Sequence, residues 1–557
     1  DSPLCLNLLP PLSSSLLLSP LHPRPKDRMA ILGDPSMPDL MYVAGNAGAL
    51  AWRVNITTGT WTQMWDAPDV TDGTIPHGDC RNYAWDAASE RLILVSDGGV
   101  FARVTPRSPG GTWVSLNGDY ASMELLSAHY APREARYVAG AQDNCAQVTP
   151  NDAVATDVAI GFVEGDGTVT LVDNVANPAR LFGTTQFLGV GTIDIDPSTT
   201  KTKTKSTTTT TTITTDDDDD GCGGLCFVQG KEFINVPIDH YFPRPSSFPF
   251  FVSPYALNVQ DPTLLVFWAN GTGPNGGGVE NYTTSGFYSF SLPHGQVHSK
   301  DDIEPPSKVV GTDDNAMILD FVAGGYVDGV SDPTIIVAMS NEKLYLRNKN
   351  TGGKLITRSL PTKFALPIIM EYDEDNDGAR ILGPVTHGRT VSLTVSPSNA
   401  NVIVVTGWST VLDNLGKEQI FLTEDGGVVW KDVTGNLRAA TGVVGKIRPS
   451  GVLLVDLLQN KGRALLVGTT VGVFVTYLEA AGDSPWSRFG SGEEFPIVMT
   501  SALSYEHISN KIVAATFGRG IYVVDDAKTS LLKHRLDVFG KSFVEEESSS
   551  KYFPTPL

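Results

Sequence analysis

Apolar runs too short for helices dominate this chain, and each stops at Gly, Asp, Asn or Pro. LMYVAGNA, RLILVSDG, RYVAGAQDN, LLVFWANG, TIIVAMSN, RALLVGTT and KIVAATFG all join β-branched and aromatic residues to a turn signal. That is the pattern of strands closed by tight turns. Each run follows one apolar segment and precedes another, and a Trp-bearing segment often comes fourth, as in MAILGDPS, LMYVAGNA, ALAWRVNI and TWTQMWDA. The unit recurs about nine times at intervals of about 50 residues, which suits a four-stranded blade. The predicted fold class is therefore all-β, a large β-propeller of four-stranded antiparallel blades.

The repeat is interrupted at one place. Residues 198–231 hold a Thr run with alternating lysines, consecutive aspartates at 216–220 and the segment GCGGLC, none of which can fill a core. They read as a disordered surface insertion. Blades are expected over 28–197 and again over 232–527, with a C-terminal tail at 528–557. Residues 1–27 are apolar but broken by prolines, and read as unstructured or mis-called sequence. The last unit shows no clear fourth strand. A segment in or before the first blade is expected to complete it and close the ring, because closure removes exposed sheet edges.

Composition narrows the partners. A formal charge of -21 at pH 7 argues against nucleic acid, whose phosphate backbone requires clustered Lys and Arg. No apolar run approaches the roughly 18 residues of a membrane span. Sequons at Asn55, Asn270 and Asn281 tilt the expectation towards an extracellular or secretory-pathway protein, taken as a monomer. Five cysteines leave at least one unpaired within the chain. Cys222 and Cys226 could close a small ring or bind a metal weakly, but two thiols fall short of a four-ligand zinc site. GRG at 518–520 and GDG at 165–167 lack the strand-to-helix setting of a phosphate cradle, which removes nucleotide binding.

The stretch 76–148 carries the densest chemistry. In a propeller, the second-to-third-strand turns emerge on the same face as the loops that lead into each next blade. LILVSDGGVFARV puts Asp97 at such a turn, and YVAGAQDNCAQV puts Asp143 at the equivalent one with Gln142 and Asn144 beside it. PHGDCR puts His77, Asp79 and Arg81 on the loop before the second blade. These groups are expected to converge near the channel mouth on a polar ligand, a sugar or peptide, with carboxylates accepting hydroxyl hydrogen bonds and Arg81 orienting them. The plainer reading is that they cap strands and bind one another, since an Asp-Gly-Gly turn needs its Asp for geometry alone. Cys80 and Cys145 fall on the same face, either joined in a disulfide or as two buried thiols.

LTEDGGVVWKDVTGNL fits the turn pattern Ser/Thr-x-Asp-x-Gly-x-x-Trp, with Thr423, Asp425, Gly427 and Trp430 in place. Together with SDGGVF, AQDN, LLVGTTVGVF and ATFGRGIYVVD, it makes the chain resemble the sialidase-like Asp-box superfamily of propellers. Nearest in pattern are sortilin-type propellers and xyloglucanase-type glycoside hydrolases. The box itself reads as structural: its Asp accepts backbone N–H bonds across a tight turn, Gly427 supplies conformational freedom and Trp430 buries a large face. It falls between third and fourth strands, on the face opposite the candidate site.

In the xyloglucanase-type enzymes that the chain resembles, aspartate-glycine turns like that of Asp97 carry catalytic residues. Glycoside hydrolysis generally needs two carboxylates at a set separation. The matching late repeat reads GTTVGVF, with Thr470 where the second would stand, and Asp79, Asp143 or Glu124 could substitute only across a cleft. The expected function is thus non-catalytic recognition of a glycan or peptide, requiring no cofactor. A glycoside hydrolase using Asp97, Asp79 and Asp143 is the alternative. In YDEDNDGAR, Asp373, Asp375 and Asp377 precede Gly378 and suit a calcium turn, although Pro384 stands where an EF-hand has its bidentate Glu. An acidic exposed loop is the other reading.

Overall fold

The structure, a computed structural model, describes residues 30–45, 51–64, 76, 80–96, 99–108, 110–117, 123–142, 144–149, 160–163, 165–194, 234–242, 247–248, 252–271, 284–294, 297, 299–313, 316–340, 343–361, 369–373, 378–382, 391–409, 417–442, 449–458, 462–478, 485–490 and 495–540. They form an all-β protein of small antiparallel sheets, most of them four-stranded and built from strands consecutive in sequence.

Sheet 1 (Ala30–Gly33, Leu40–Ala44, Ala51–Asn55, Thr60–Gln63) and sheet 2 (Cys80–Asp86, Arg91–Ser96, Gly99–Val104, Thr112–Ser115) make one compact unit. Among the described residues the other unit holds seven successive groups of strands, numbered here sheets 3 to 9, of which sheets 5 and 6 join through the parallel pair Asn258 and Ala323 into one eight-stranded sheet, together with two two-stranded sheets. Sheet 3 comprises Leu125–Ala131, Arg136–Ala141, Ala146–Val148 and Ile160–Val163; sheet 4, Thr170–Asp173, Arg180–Thr184, Val190–Asp194 and Ile234–Asn235. Sheet 5 comprises Tyr255–Asn258, Asp261–Ala269, Gly286–Ser291 and Ser307–Gly311; sheet 6, Ile318–Ala323, Ile336–Ser340, Lys343–Arg347 and Ile356–Ser359. Sheet 7 comprises Ser392–Ser396, Asn399–Ser409, Lys417–Thr423 and Lys431–Asp432; sheet 8, Val452–Leu458, Gly462–Thr469, Gly472–Leu478 and Ser487–Arg488. Sheet 9 has three strands, Thr500–Glu506, Lys511–Thr516 and Ile521–Val524. The insertion at 198–231 lies outside the described residues. Its neighbours place it within sheet 4, between the third strand and the two-residue fourth.

The middle strands are apolar on both faces because both are covered. Every residue of Gly472–Leu478 is buried, and in Gly462–Thr469 only Arg463 is not, as expected of strands sandwiched between layers. In the second unit each core joins one sheet to the next. Val138 and Phe162 of sheet 3 meet Leu181 of sheet 4; Phe182 meets Phe267 and Tyr288 of sheet 5; Trp268 meets Ile336 of sheet 6. Leu344 meets Ile403 of sheet 7, Val404 meets Leu465 of sheet 8, and Leu466 meets Ile512 of sheet 9. Fully burying each such side chain contributes roughly 1.5–3 kcal/mol.

The series then returns to its start. Val513 and Ala515 of sheet 9 share a core with Leu125, Ala139 and Ala141 of sheet 3. Glu124 pairs with Phe517 as an antiparallel bridge, the Gly518 N–H donates to Met123 O at 2.8 Å, and Ser501 Oγ donates to Leu125 O. Close approach requires small residues at such seams: a Cβ on Gly140 would lie 2.0 Å from Thr168 O, and one on Gly468 2.6 Å from Thr500 O.

One sequence expectation changes here. No N-terminal strand supplements sheet 9 among the described residues. Instead, a helix occupies part of the expected tail, Ala527–Phe539, and buries Ala527 and Leu531 against sheets 8 and 9. Tyr477 Oη donates to Leu531 O at 2.7 Å and holds it there.

A second repeat runs through the first-to-second-strand turns. Asp34 Oδ1 accepts from the N–H groups of Ser36 and Met37, Asp86 from Ala88 and Ser89, and Asp173 from Val175 and Ala176. Asn258 serves Gln260 and Asp261, and Glu506 serves Ile508 and Ser509. These side chains satisfy turn donors that would otherwise go unpaired.

Candidate functional site

The edge of each sheet where the second strand turns into the third carries the candidate site. In sheet 8 the ladder ends on the pair Thr469 and Gly472, leaving Thr470 and Val471 as a two-residue turn. Thr469 Oγ1 donates to Gly472 O at 2.8 Å and accepts from Val471 N at 3.1 Å. Gly472 has φ 105°, which a side chain resists, and a Cβ there would come within 2.8 Å of Arg488 Nη1. Sheet 2 ends the same way on Ser96 and Gly99, with Gly99 at φ 118° and Asn117 Oδ1 accepting from Val100 N at 2.7 Å. The two ladders therefore assign Thr470 the slot that Asp97 has in sequence. Asp97 itself lies outside the described residues.

The corresponding turn of sheet 3 is pinned on all sides. Asn144 N donates to Ala141 O at 3.1 Å, and Asn144 Nδ2 donates to Gln142 O at 3.0 Å. Gln142 is buried and Asn144 half-buried, with the Gln142 N–H bonded to Glu124 O at 3.0 Å. The next sheet joins in, since Cys145 N donates to Gly165 O and Gly167 N to Ala141 O, both at 3.0 Å. Cys145, at φ 68°, lies in the left-handed region.

Of the sequence-predicted groups, Gln142 and Asn144 thus share one turn. Arg81 is exposed at the start of sheet 2, in the other compact unit. His77, Asp79 and Asp143 lie outside the described residues, as do Asp375 and Asp377. Asp373 ends the strand Ile369–Asp373. Among the described residues no group of three His, Cys, Asp or Glu could hold a metal ion, and no helix is long and apolar enough to cross a membrane.

The cysteine pairing needs correction. Cys80 is a buried thiol, whereas Cys145 is disulfide-bonded. The Cys80–Cys145 bridge is therefore not made, and the other half of the Cys145 disulfide lies outside the described residues. Inside the first unit Cys80 packs with Met64, Tyr83 and Leu94.

Three polar residues at this edge were not singled out from sequence. Asp166 N donates to Gln186 Oε1 at 3.2 Å, and Arg519 stands exposed two residues beyond the Phe517 bridge to Glu124. The Gly-Asp-Gly and Gly-Arg-Gly stretches dismissed as phosphate cradles are in fact the turns that carry Asp166 and Arg519. Next to Gln186, Phe187 and Leu188 adopt φ 55° and 61°, a left-handed pair that costs about 1–3 kcal/mol per residue and often marks a functional turn. Backbone hydrogen bonds thus put the turns that carry Arg519, Gln142, Asn144 and Asp166 next to one another, with Gln186 bonded to the Asp166 N–H. That set suits hydroxyl or amide recognition.

Among the described residues the clearly perturbed carboxyls, Asp34, Asp86, Asp332 and Asp425, are all lowered. Burial raises Asp34, but Arg107, the Ser36 N–H and the Tyr42 hydroxyl outweigh it and hold its carboxyl well below the usual range. Arg91 lowers Asp86. Asp332 and Asp425 are raised by desolvation yet end below the usual range through their turn hydrogen bonds.

The Asp425 turn joins the third and fourth strands of sheet 7. Asp425 Oδ1 accepts from Val428 N and Val429 N, both at 3.0 Å, and from Thr423 Oγ1 at 2.7 Å. Gly427 has φ 88°, and a Cβ there would lie 2.7 Å from Leu344 of sheet 6. Trp430 packs on the core between these sheets and donates Nε1 to Ser359 O at 3.1 Å. No protein-family model matches the chain, and no curated protein matches it.

Proposed function

We propose that sheets 3 to 9 form a seven-bladed propeller of the Asp-box type that recognises a glycan or peptide without chemical turnover. The observation carrying this reading is the hydrogen-bonded turn cluster where sheet 9 meets sheets 3 and 4. It offers Gln142, Asn144, Asp166, Gln186 and Arg519 on neighbouring turns, and Asp143 adjoins them in sequence. The Thr470 slot favours binding over hydrolysis, because a hydrolase needs a second carboxylate opposite the first. The Cys145 disulfide supports an oxidising, extracytoplasmic setting.

Glycan and peptide arrays probed with the full chain, followed by calorimetry on any hit, test this reading. Arg519→Ala and Asp143→Ala should each weaken binding about tenfold or more, the loss of one charged hydrogen bond. Binding that survives both substitutions unchanged would move the site elsewhere.

A further inference from the structure

The turn that joins the third and fourth strands of sheet 1 runs through Asn55, Ile56 and Thr57, one of the Asn-x-Thr triplets that accept N-linked glycans. Asn55 Oδ1 accepts from Thr57 N at 3.0 Å and from Thr58 N at 2.9 Å, an Asx turn that fixes the side-chain amide. Asn55 Nδ2 donates one hydrogen to Asp39 Oδ2 at 3.0 Å, and its second hydrogen has no acceptor among the described residues. A sugar bonded there displaces no hydrogen bond of the fold. Every residue of 56–60 is exposed, so the turn has room for a glycan. Asn270 is placed differently, bonded to Ser247 and Ser285, which are both buried.

Apolar surface lies open beside this amide. Ile56 N donates to Asp39 O at 2.8 Å and Leu40 N to Met37 O at 2.9 Å, so the Asn55 turn rests against the first-to-second-strand turn of the same sheet. Ile56 is 50% exposed and Met37 40%. Sugar rings carry apolar C–H faces, and these two side chains offer the first sugars of a glycan a surface to cover.

We propose that Asn55 carries an N-linked glycan whose first sugars cover Ile56 and Met37. The site rests on the extracytoplasmic setting proposed above and not on the ligand reading. Its donor is an oligosaccharide held on a lipid pyrophosphate. Asn55 Nδ2 bonds to C1 of the sugar, the bond from C1 to the pyrophosphate oxygen breaks with its electron pair leaving on that oxygen, and Nδ2 gives up one proton to a base of the transferase. Transfer takes place on the emerging chain, and the folded turn has only to accommodate the product.

Peptide mapping of the full chain, recovered from the cells that make it and treated with peptide N-glycosidase in heavy-oxygen water, tests the site. The Asn55 peptide should carry a glycan and return as aspartate bearing the heavy label. Thr57→Ser should keep the glycan and Thr57→Ala should lose it, because the transferase needs the hydroxyl whereas the fold uses the Thr57 N–H. Circular dichroism should be native in both variants. Peroxide should oxidise Met37 faster in Thr57→Ala than in wild type. Unmodified Asn55 in a chain whose Cys145 is disulfide-bonded overturns the site and leaves the extracytoplasmic setting standing. Unmodified Asn55 beside a free Cys145 thiol overturns both. A glycan that survives Thr57→Ala, or Met37 oxidation equal in the two proteins, also overturns the proposal.

Discussion

Ser504 donates its hydroxyl to the carbonyl of Ala128 at 2.7 Å across 376 residues of sequence. This bond lies on the seam that brings sheet 9 back to sheet 3. Its neighbours are the core of Val513 and Ala515 with Ala139 and Ala141, and the Lys511 ammonium 5.1 Å from the centre of the Tyr130 ring.

Close packing of inner strands should make glycine substitution strongly position-dependent. Gly140→Ala forces a methyl towards Thr168 O, 2.0 Å from the ideal Cβ, and should cost about 1–3 kcal/mol or more. Gly33→Ala meets nothing within 4 Å and should stay within about 0.5 kcal/mol of wild type. Thermal unfolding of the two variants checks this, and equal shifts would contradict the packing.

The Asp34 site should make the first unit acid-sensitive. Arg107 Nε lies 2.8 Å from Asp34 Oδ2, and Tyr42 Oη donates to the same oxygen at 2.8 Å. Because the folded carboxyl is held below its ordinary value, its stabilising contribution is complete above about pH 4. It is lost as pH falls further, through the lower folded value. Asp34→Asn should cost roughly 2–3 kcal/mol at pH 7 and flatten the acid limb of a stability-versus-pH curve. An unchanged acid limb would remove Asp34 from the explanation.

Fold legibility followed burial. Middle strands such as Arg136–Ala141 and Gly462–Thr469 announce themselves because both faces are apolar. Fourth strands such as Lys431–Asp432, two exposed residues, carry almost no signal. The helix Ala527–Phe539 was hidden because only one edge of it, Ala527 and Leu531 with Leu532 and Phe539 beside them, meets the core. The turn slots of Asp97 and Thr470 were readable from Gly99 and Gly472. The neighbourhood of Glu124 and Arg519 was not, since it depends on which sheet closes the series, a fact no local pattern encodes. The Cys80–Cys145 expectation failed for a related reason: a shared edge does not set a pairing.

Peptide mapping without reduction should find the Cys145 peptide linked to one containing Cys5, Cys222 or Cys226, and Cys80 alkylated only after unfolding. A crosslinked Cys80 peptide would contradict the pairing. Losing the Cys145 disulfide by Cys145→Ser should cost about 2–5 kcal/mol.

Asp425→Ala should separate structure from binding. Two turn N–H groups, those of Val428 and Val429, lose their acceptor, at about 1–2 kcal/mol. Ligand affinity should not change, because this turn lies at the opposite edge from Gln142 and Arg519. Tenfold weaker binding in a variant that is still folded would assign the Asp425 turn to the ligand.

Recognition without turnover is tested most directly by incubating the chain with plant and algal polysaccharides and oligosaccharides while following the release of reducing ends. Selective binding with no product, in wild type and in Asp97→Ala alike, is the predicted result. Reducing ends that appear with wild type and vanish with Asp97→Ala would contradict it and make the protein a glycoside hydrolase.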